Sequence, residues 1–179
     1  MVYVFLAEGF EEMEALAPID LLRRVGVEVT TVGVGGKLIK GAHGVGFTAD
    51  SDGEGLDFSD VDCVVLPGGM PGTTNLDASP MVETCLMKAA EKDALIAAIC
   101  AAPSVLGHKG LLKGKKATCF PGFEEELLGA VHTGNPVEQD GKIITARGAG
   151  VALDFALALV AELKGEAAAK ELRESLQCA

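Results

Sequence analysis

Short apolar runs alternate along this chain with stretches whose apolar positions recur at helical spacing. Val2–Leu6 predicts a buried strand, and Met13, Leu16, Ile19 and Leu22 fall on one face of a predicted helix over Glu12–Val25, which Gly26 stops. Val27–Val34 predicts the next strand. Gly35-Gly36, Leu38-Ile39 and Gly41–Phe47 then read as a short antiparallel excursion. Asp62–Leu66 is apolar after its first residue, as a central parallel strand requires, and runs into Pro67–Gly72, too rich in Pro and Gly for regular structure. A helix over Pro80–Lys92, a buried strand over Leu95–Ile99 and a helix beginning at Pro103–Leu106 follow. Ala117–Cys119 predicts a strand and Glu124–Leu128 a short helix. Val137–Gln139 and Lys142–Thr145 flank the hairpin signal Asp140-Gly141. Gly148-Ala149-Gly150 leads into helices over Val151–Leu163 and Glu166–Leu176. This order predicts an α/β fold with a doubly wound, mostly parallel sheet and helices on both faces.

Composition narrows the picture. The 179 residues are 49% hydrophobic, enough for one sizeable core, so residues 1–179 are expected to form a single domain. Aromatic residues make up only 4% and Trp is absent, leaving Val, Leu, Ile and Ala to build that core. A formal net charge of -11 repels phosphate backbones and anionic lipid, which argues against nucleic-acid and membrane partners. The first residues lack the basic segment and long apolar core of a signal peptide, and no apolar stretch is long enough to span a bilayer. Five cysteines at irregular spacing (Cys63, Cys85, Cys100, Cys119, Cys178) fit free thiols in a reducing cytoplasm. His43, His108 and His132 stand apart from one another and from the cysteines, so no metal-ligand spacing exists and no metal or other cofactor is expected.

Two places carry unusual chemistry. In Ala94–Pro103 a buried strand runs to Cys100 and a helix starts almost at once, with the small residues Ala98 and Ala102 two positions to either side. That is a relaxed form of the nucleophile elbow. Unpaired N–H groups at the start of the following helix, beginning with that of Ala101, favour a thiolate and lower the cysteine pKa. They are also placed to hold an oxyanion. A cysteine ending an apolar strand is equally what a small buried hydrophobe looks like. The second place is Gly9–Glu14, where Glu11, Glu12 and Glu14 cluster at a helix start. Acids there ordinarily complement the helix dipole and face water. One turned inward, among apolar groups, has a raised pKa and can donate a hydrogen bond to a thiolate. Spacing does not choose among the three. The Pro67–Gly72 loop suits close backbone approach to a ligand and matches no phosphate-binding fingerprint.

Ala7-Glu-Gly-Phe-Glu-Glu-Met-Glu14, Val64-Val-Leu-Pro-Gly-Gly69, Ala97-Ala-Ile-Cys-Ala-Ala-Pro103 and Ala146-Arg-Gly-Ala-Gly150, followed by Phe155-Ala-Leu, occur in this order over nearly the whole chain. Together they resemble the ThiJ/PfpI superfamily, in the branch of the parkinsonism-associated deglycase. The resemblance implies a flavodoxin-like fold and a homodimer. It makes Cys100 the nucleophilic, oxidation-sensitive cysteine and Glu14 its protonated partner, with the N–H groups of Gly69 and Ala101 lining the site. It also places Gly68, Arg24 and Phe120 around the pair, Arg24 towards the dimer interface. Two positions depart from the family. Ala101 stands where the members described as proteases carry His, which removes a Cys–His peptidase. Phe120 precedes Pro121 where the deglycase branch can carry His, which removes a proton shuttle. The implied activity is conversion of small reactive dicarbonyls, such as methylglyoxal, to 2-hydroxy acids through Cys100 and Glu14. A redox sensor or chaperone in which Cys100 oxidises to sulfinate is the alternative. A thiazole-phosphate biosynthetic role ranks low because no phosphate-binding pattern is present.

Overall fold

The computed structural model describes residues 1–178. Six strands form the central sheet: β1 (Val2–Ala7), β2 (Val29–Val34), β5 (Cys63–Leu66), β6 (Leu95–Ile99), β9 (Val137–Asp140) and β10 (Ile143–Ala146). Between them in the chain lie the hairpin strands β3 (Leu38–Lys40) and β4 (Gly46–Thr48) and the small pair β7 (Lys116–Ala117) and β8 (Val131–His132). The helices are α1 (Glu12–Arg24), α2 (Gly72–Asp77), α3 (Pro80–Glu91), α4 (Pro103–His108), α5 (Ala152–Lys164) and α6 (Glu166–Ser175).

The sheet order is β2-β1-β5-β6-β10-β9, parallel throughout except for the β9–β10 hairpin. Alternation along the parallel strands assigns the two faces. Val2, Val4, Leu6, Cys63, Val65, Ala97 and Ile99 pack towards α1, α5 and α6. Tyr3, Phe5, Ala7, Val64, Leu66, Ile96 and Ala98 pack towards α2, α3 and α4. All six residues of β1 are buried, so this strand is apolar on both sides, as a doubly covered parallel strand must be. The chain leaves β1 towards β2 on one side and later fills β5 on the other. That puts the topological switch point between β1 and β5, at whose carboxyl ends ligand crevices form in such sheets.

Several predicted elements change in detail. In α1 the buried face holds Ala15, Pro18, Ile19, Leu21 and Leu22 together with Glu12 and Glu14. Met13 and Leu16, expected inside, are 60% and 39% exposed. The helix is rolled so that its first turn turns acids, not Met13, towards the sheet edge. The predicted strand Ala117–Cys119 shrinks to β7, which pairs with the unpredicted β8. Glu124–Leu128 contributes only a 3-10 turn over Glu124–Glu126. Gly72, read as loop, starts α2. Gly26, at φ +68°, does end α1, its N–H bonding back to Arg23 O at 3.1 Å. Gly141, at φ +63°, makes the β9–β10 turn.

Candidate functional site

Three carboxyl-terminal strand ends meet at one point: β1 with its loop into α1, β5 with its Pro-Gly loop, and β6 with Cys100. Cys100 leaves β6 at φ +65°, a conformation that non-glycine residues seldom adopt. Its backbone is tied on both sides. The Cys100 N–H donates to Ala146 O at 2.8 Å, and the Cys100 carbonyl accepts from Phe120 N–H at 2.8 Å. Ala98 and Ala102 are fully buried against strand and helix, which explains the small residues around the elbow. The thiol itself is only half-buried.

Of the three acids at the start of α1, the fold turns Glu14 inward, where it is 1% exposed. Its Oε2 accepts the Gly68 N–H at 2.9 Å. The carboxyl also faces the Cys100 thiol and the Ala149 N–H, while Oε1 is buried without a partner of ordinary hydrogen-bond geometry. A buried carboxyl oxygen in that state has spare capacity to carry a proton or to receive one from a bound molecule. Gly68 separates the two side chains. A Cβ there would stand 2.6 Å from Cys100 Cβ and 2.7 Å from Glu14 Oε2, so only glycine lets cysteine and acid meet. Gly69, at φ +89°, lies so close to the Gly9 carbonyl and the Glu11 amide that any side chain would collide with them.

The electrostatics follow from burial. Burial pushes the Glu14 carboxyl up to about 7; the hydrogen bond with Cys100 opposes this, and the charge of Glu11 reinforces it. The Cys100 thiol is pushed up to about 12, first by burial and then by an ionised Glu14, against the N–H groups of Gly69 and Ala101. The helix-start effect expected to lower this thiol is therefore overruled. The helix α4 has only six residues and begins at Pro103, and Ala101 N–H is the donor from the turn before it that acts on Cys100. Glu14's repulsion disappears once Glu14 holds a proton, and the acid then becomes a donor to sulfur. Thiol and acid thus behave as a coupled pair.

The remaining predicted positions divide. Gly68, Gly69 and Ala101 lie at the pair. Phe120 is joined to Cys100 through its backbone, and its ring, 47% exposed, lies over Gly148. Arg24 is not brought to the pair. It closes α1 with an exposed ion pair to Asp20 at 2.8 Å, roughly 15 Å along the helix from Glu14. Two contributors escaped the sequence reading. Ala149 N–H reaches Glu14 from the loop after β10. His43, from the β3–β4 turn, contacts Glu12 Oε2 at 2.8 Å and lies 4.0 Å from Glu11 Oε1. Only the tertiary fold lays that turn against the start of α1, and spacing carries no signal of it. Burial pushes Glu12 up, but the His43 side chain and the N–H groups of His43 and Val45 outweigh it and hold Glu12 below the usual range. His108 is remote from the pair, bridging Asp77 at 2.7 Å and Glu126 at 2.8 Å.

Comparison with known proteins gives a consistent answer. A homologue of Parkinson disease protein 7 from Danio rerio is 38% identical over 97% of this chain and 94% of its own length. A protein named glutathione-independent glyoxalase from Caenorhabditis elegans is 30% identical over 88% of this chain and 85% of its own. The structure described as Toxoplasma gondii DJ-1, oxidized, superposes with a TM-score of 0.95 at 35% identity, covering 99% of this chain and 98% of that one. Residues 1–162 match the DJ-1/PfpI family, and with a flavodoxin-like sheet that carries a cysteine elbow beside a buried acid, the chain belongs to that family.

Proposed function

We propose that this protein converts small reactive dicarbonyls to 2-hydroxy acids, with Cys100 as nucleophile and Glu14 as proton carrier. One observation carries the reading: a buried acid with a neutral-range pKa meets, across Gly68, a cysteine whose sulfur is faced by two backbone N–H groups. The glyoxalase name of the Caenorhabditis elegans relative supports it.

With methylglyoxal as substrate, the Cys100 thiolate attacks the aldehyde carbon and forms an S–C bond. Glu14 delivers its proton to the resulting alkoxide, giving a hemithioacetal. The Glu14 carboxylate then removes the hydrogen on that carbon and returns it to the neighbouring carbon, while the hydroxyl proton passes to the neighbouring oxygen. The product is a thioester of lactate, which water cleaves to lactate and free thiol. The sum is methylglyoxal plus water to lactic acid, with no external oxidant or reductant. No histidine takes part. Purified protein incubated with methylglyoxal is expected to form lactate, and Cys100→Ser and Glu14→Gln to form none. Equal lactate from all three would refute the reading.

A redox sensor is the second reading, supported by the half-buried thiol beside an acid able to hold a sulfinate and by the oxidised state of the Toxoplasma gondii structure. Intact mass after mild peroxide is expected to show two added oxygens at Cys100; earlier oxidation of Cys119 or Cys178 would count against it. Both readings concern a homodimer. The surface beside the site favours this: exposed Met13, Leu16 and Leu153 join Ala17, Ala149 and Ala152 in an apolar groove of about 620 Å³. Sedimentation should give twice the chain mass. No helix among the described residues is long and apolar enough to cross a membrane, and the reading places the protein in the cytoplasm.

A further inference from the structure

We infer that Glu11 is the positioning residue of the Cys100–Glu14 pair, binding the Gly68–Gly69 loop and the first turn of α1 into one unit and setting a carboxylate charge beside Glu14. The inference deepens the proposed thiol chemistry and rests on that reading for its biological use, but its geometry stands independently.

Glu11 touches the site at both ends of its own residue. Its backbone N–H donates to Gly68 O at 2.9 Å, and its carbonyl accepts from Ala15 N–H at 3.2 Å. Its side chain folds back as the N-cap of α1, Oε2 accepting the Glu14 N–H at 2.8 Å. The peptide that donates to Glu14 Oε2 from Gly68 N–H is therefore followed by the carbonyl that Glu11 holds. A shift of Glu11 moves acid and loop together.

The residue type is informative. Ser, Thr, Asp and Asn cap helices well, and Glu is not among the preferred caps. A glutamate here has a longer reach and puts a negative charge next to a buried acid, where that charge opposes ionisation. Its side chain is 14% exposed, so solvent screens the charge poorly. The charge acts unequally on the pair. Glu11 is among the leading groups that push Glu14 up, whereas the leading influences on Cys100 are burial, Glu14 and the N–H groups of Gly69 and Ala101. Glu11's charge thereby shifts the balance of the proton shared between sulfur and carboxyl towards Glu14 and raises the share of reactive thiolate. The titratable groups around Glu11 are Glu12 and Glu14 on α1, Cys100 on the elbow and His43 on the β3–β4 turn, whose ring its two acidic neighbours push up.

The test follows Cys100 alkylation by iodoacetamide, read by mass spectrometry of the Cys100 peptide from pH 5 to pH 10. Glu11→Gln keeps an acceptor for the Glu14 N–H and removes the charge. At pH 7 its Cys100 should react about threefold to tenfold more slowly, while the inflection of the pair moves to lower pH by up to about one unit. Glu11→Asp keeps the charge and should retain the wild-type inflection. A Glu11→Gln profile that coincides with wild type, or a Glu11→Asp profile that follows Glu11→Gln, would overturn the inference. Thermal denaturation of both variants separates loss of fold from loss of charge. If the wild type makes no lactate, the dicarbonyl reading fails alone; if alkylation is unmoved, the positioning role fails alone.

Discussion

The central sheet carries a cysteine at each end, and the two have opposite prospects. Cys63 opens β5 and is fully enclosed; burial pushes its thiol far up, the charge of Asp62 adds to this, and no hydrogen-bonding acid or backbone donor is among the groups that act on it. Cys100 follows the last residue of β6, and its thiol is also pushed up, to about 12. There, however, two N–H groups face the sulfur, an acid shares its proton, and the backbone is held at positive φ so that the side chain leaves the sheet. Burial alone yields an inert thiol. What distinguishes Cys100 is its place at the carboxyl ends of parallel strands, where loops converge with backbone donors still unpaired.

The comparison breaks most readily at Gly68. Gly68→Ala drives a methyl group between Cys100 and Glu14, so Cys100 alkylation should collapse towards the level of Cys63 and the fold should lose about 3 kcal/mol in urea unfolding. Wild-type alkylation in this variant would show that the two side chains do not need their contact.

Glu14→Gln sharpens it through pH. The Glu14 carboxyl has a folded pKa of about 7 against an ordinary value of 4.5, so its proton stabilises the fold fully below the lower value. That stabilisation is lost as pH rises through the higher one. At pH 8 the wild type therefore carries a burial cost of at most about 3 kcal/mol that glutamine lacks. Urea unfolding at pH 5 and pH 8 should show the variant gaining on wild type as pH rises; a constant difference would mean that Glu14 ionises freely.

The two cysteines should then respond in opposite ways to serine. Cys63→Ser places an unpartnered hydroxyl in an apolar strand and should cost about 1–3 kcal/mol, with no effect on methylglyoxal turnover. Cys100→Ser should leave stability nearly unchanged and abolish turnover. The smallest effect is expected at Phe120. Its ring is 47% exposed and lies over Gly148, so Phe120→Ala should change Cys100 alkylation by no more than about twofold, as surface substitutions do. A tenfold change would make the ring a working part of the site.

The pattern of apolar runs was sufficient for β1, β5, β6, the β9–β10 hairpin and most helices, because fully covered parallel strands leave a continuous apolar signature. It failed where few residues decide the outcome. The short strands β7 and β8 pair only because the fold brings their segments side by side. Along α1, helical spacing favoured Met13 and Leu16 for the core, yet the helix is rolled towards Glu14. Its first turn sits at the sheet edge, where the inward Glu14 accepts the N–H of Gly68. The exposed Met13 and Leu16 are left as the apolar border of the site.

By itself the chain determined the alternating α/β order, the elbow at Cys100 and the presence of three acids at one helix start. Those features are local, set by spacing and residue type. The tertiary structure alone decided which acid faces the sulfur, why position 68 admits only glycine, and that His43 and Ala149 approach the same acids. It also reversed the expected effect on the thiol. A helix start favours the thiolate through a few N–H groups, but the depth of burial and the charge of Glu14 are properties of the assembled fold, and here they outweigh it.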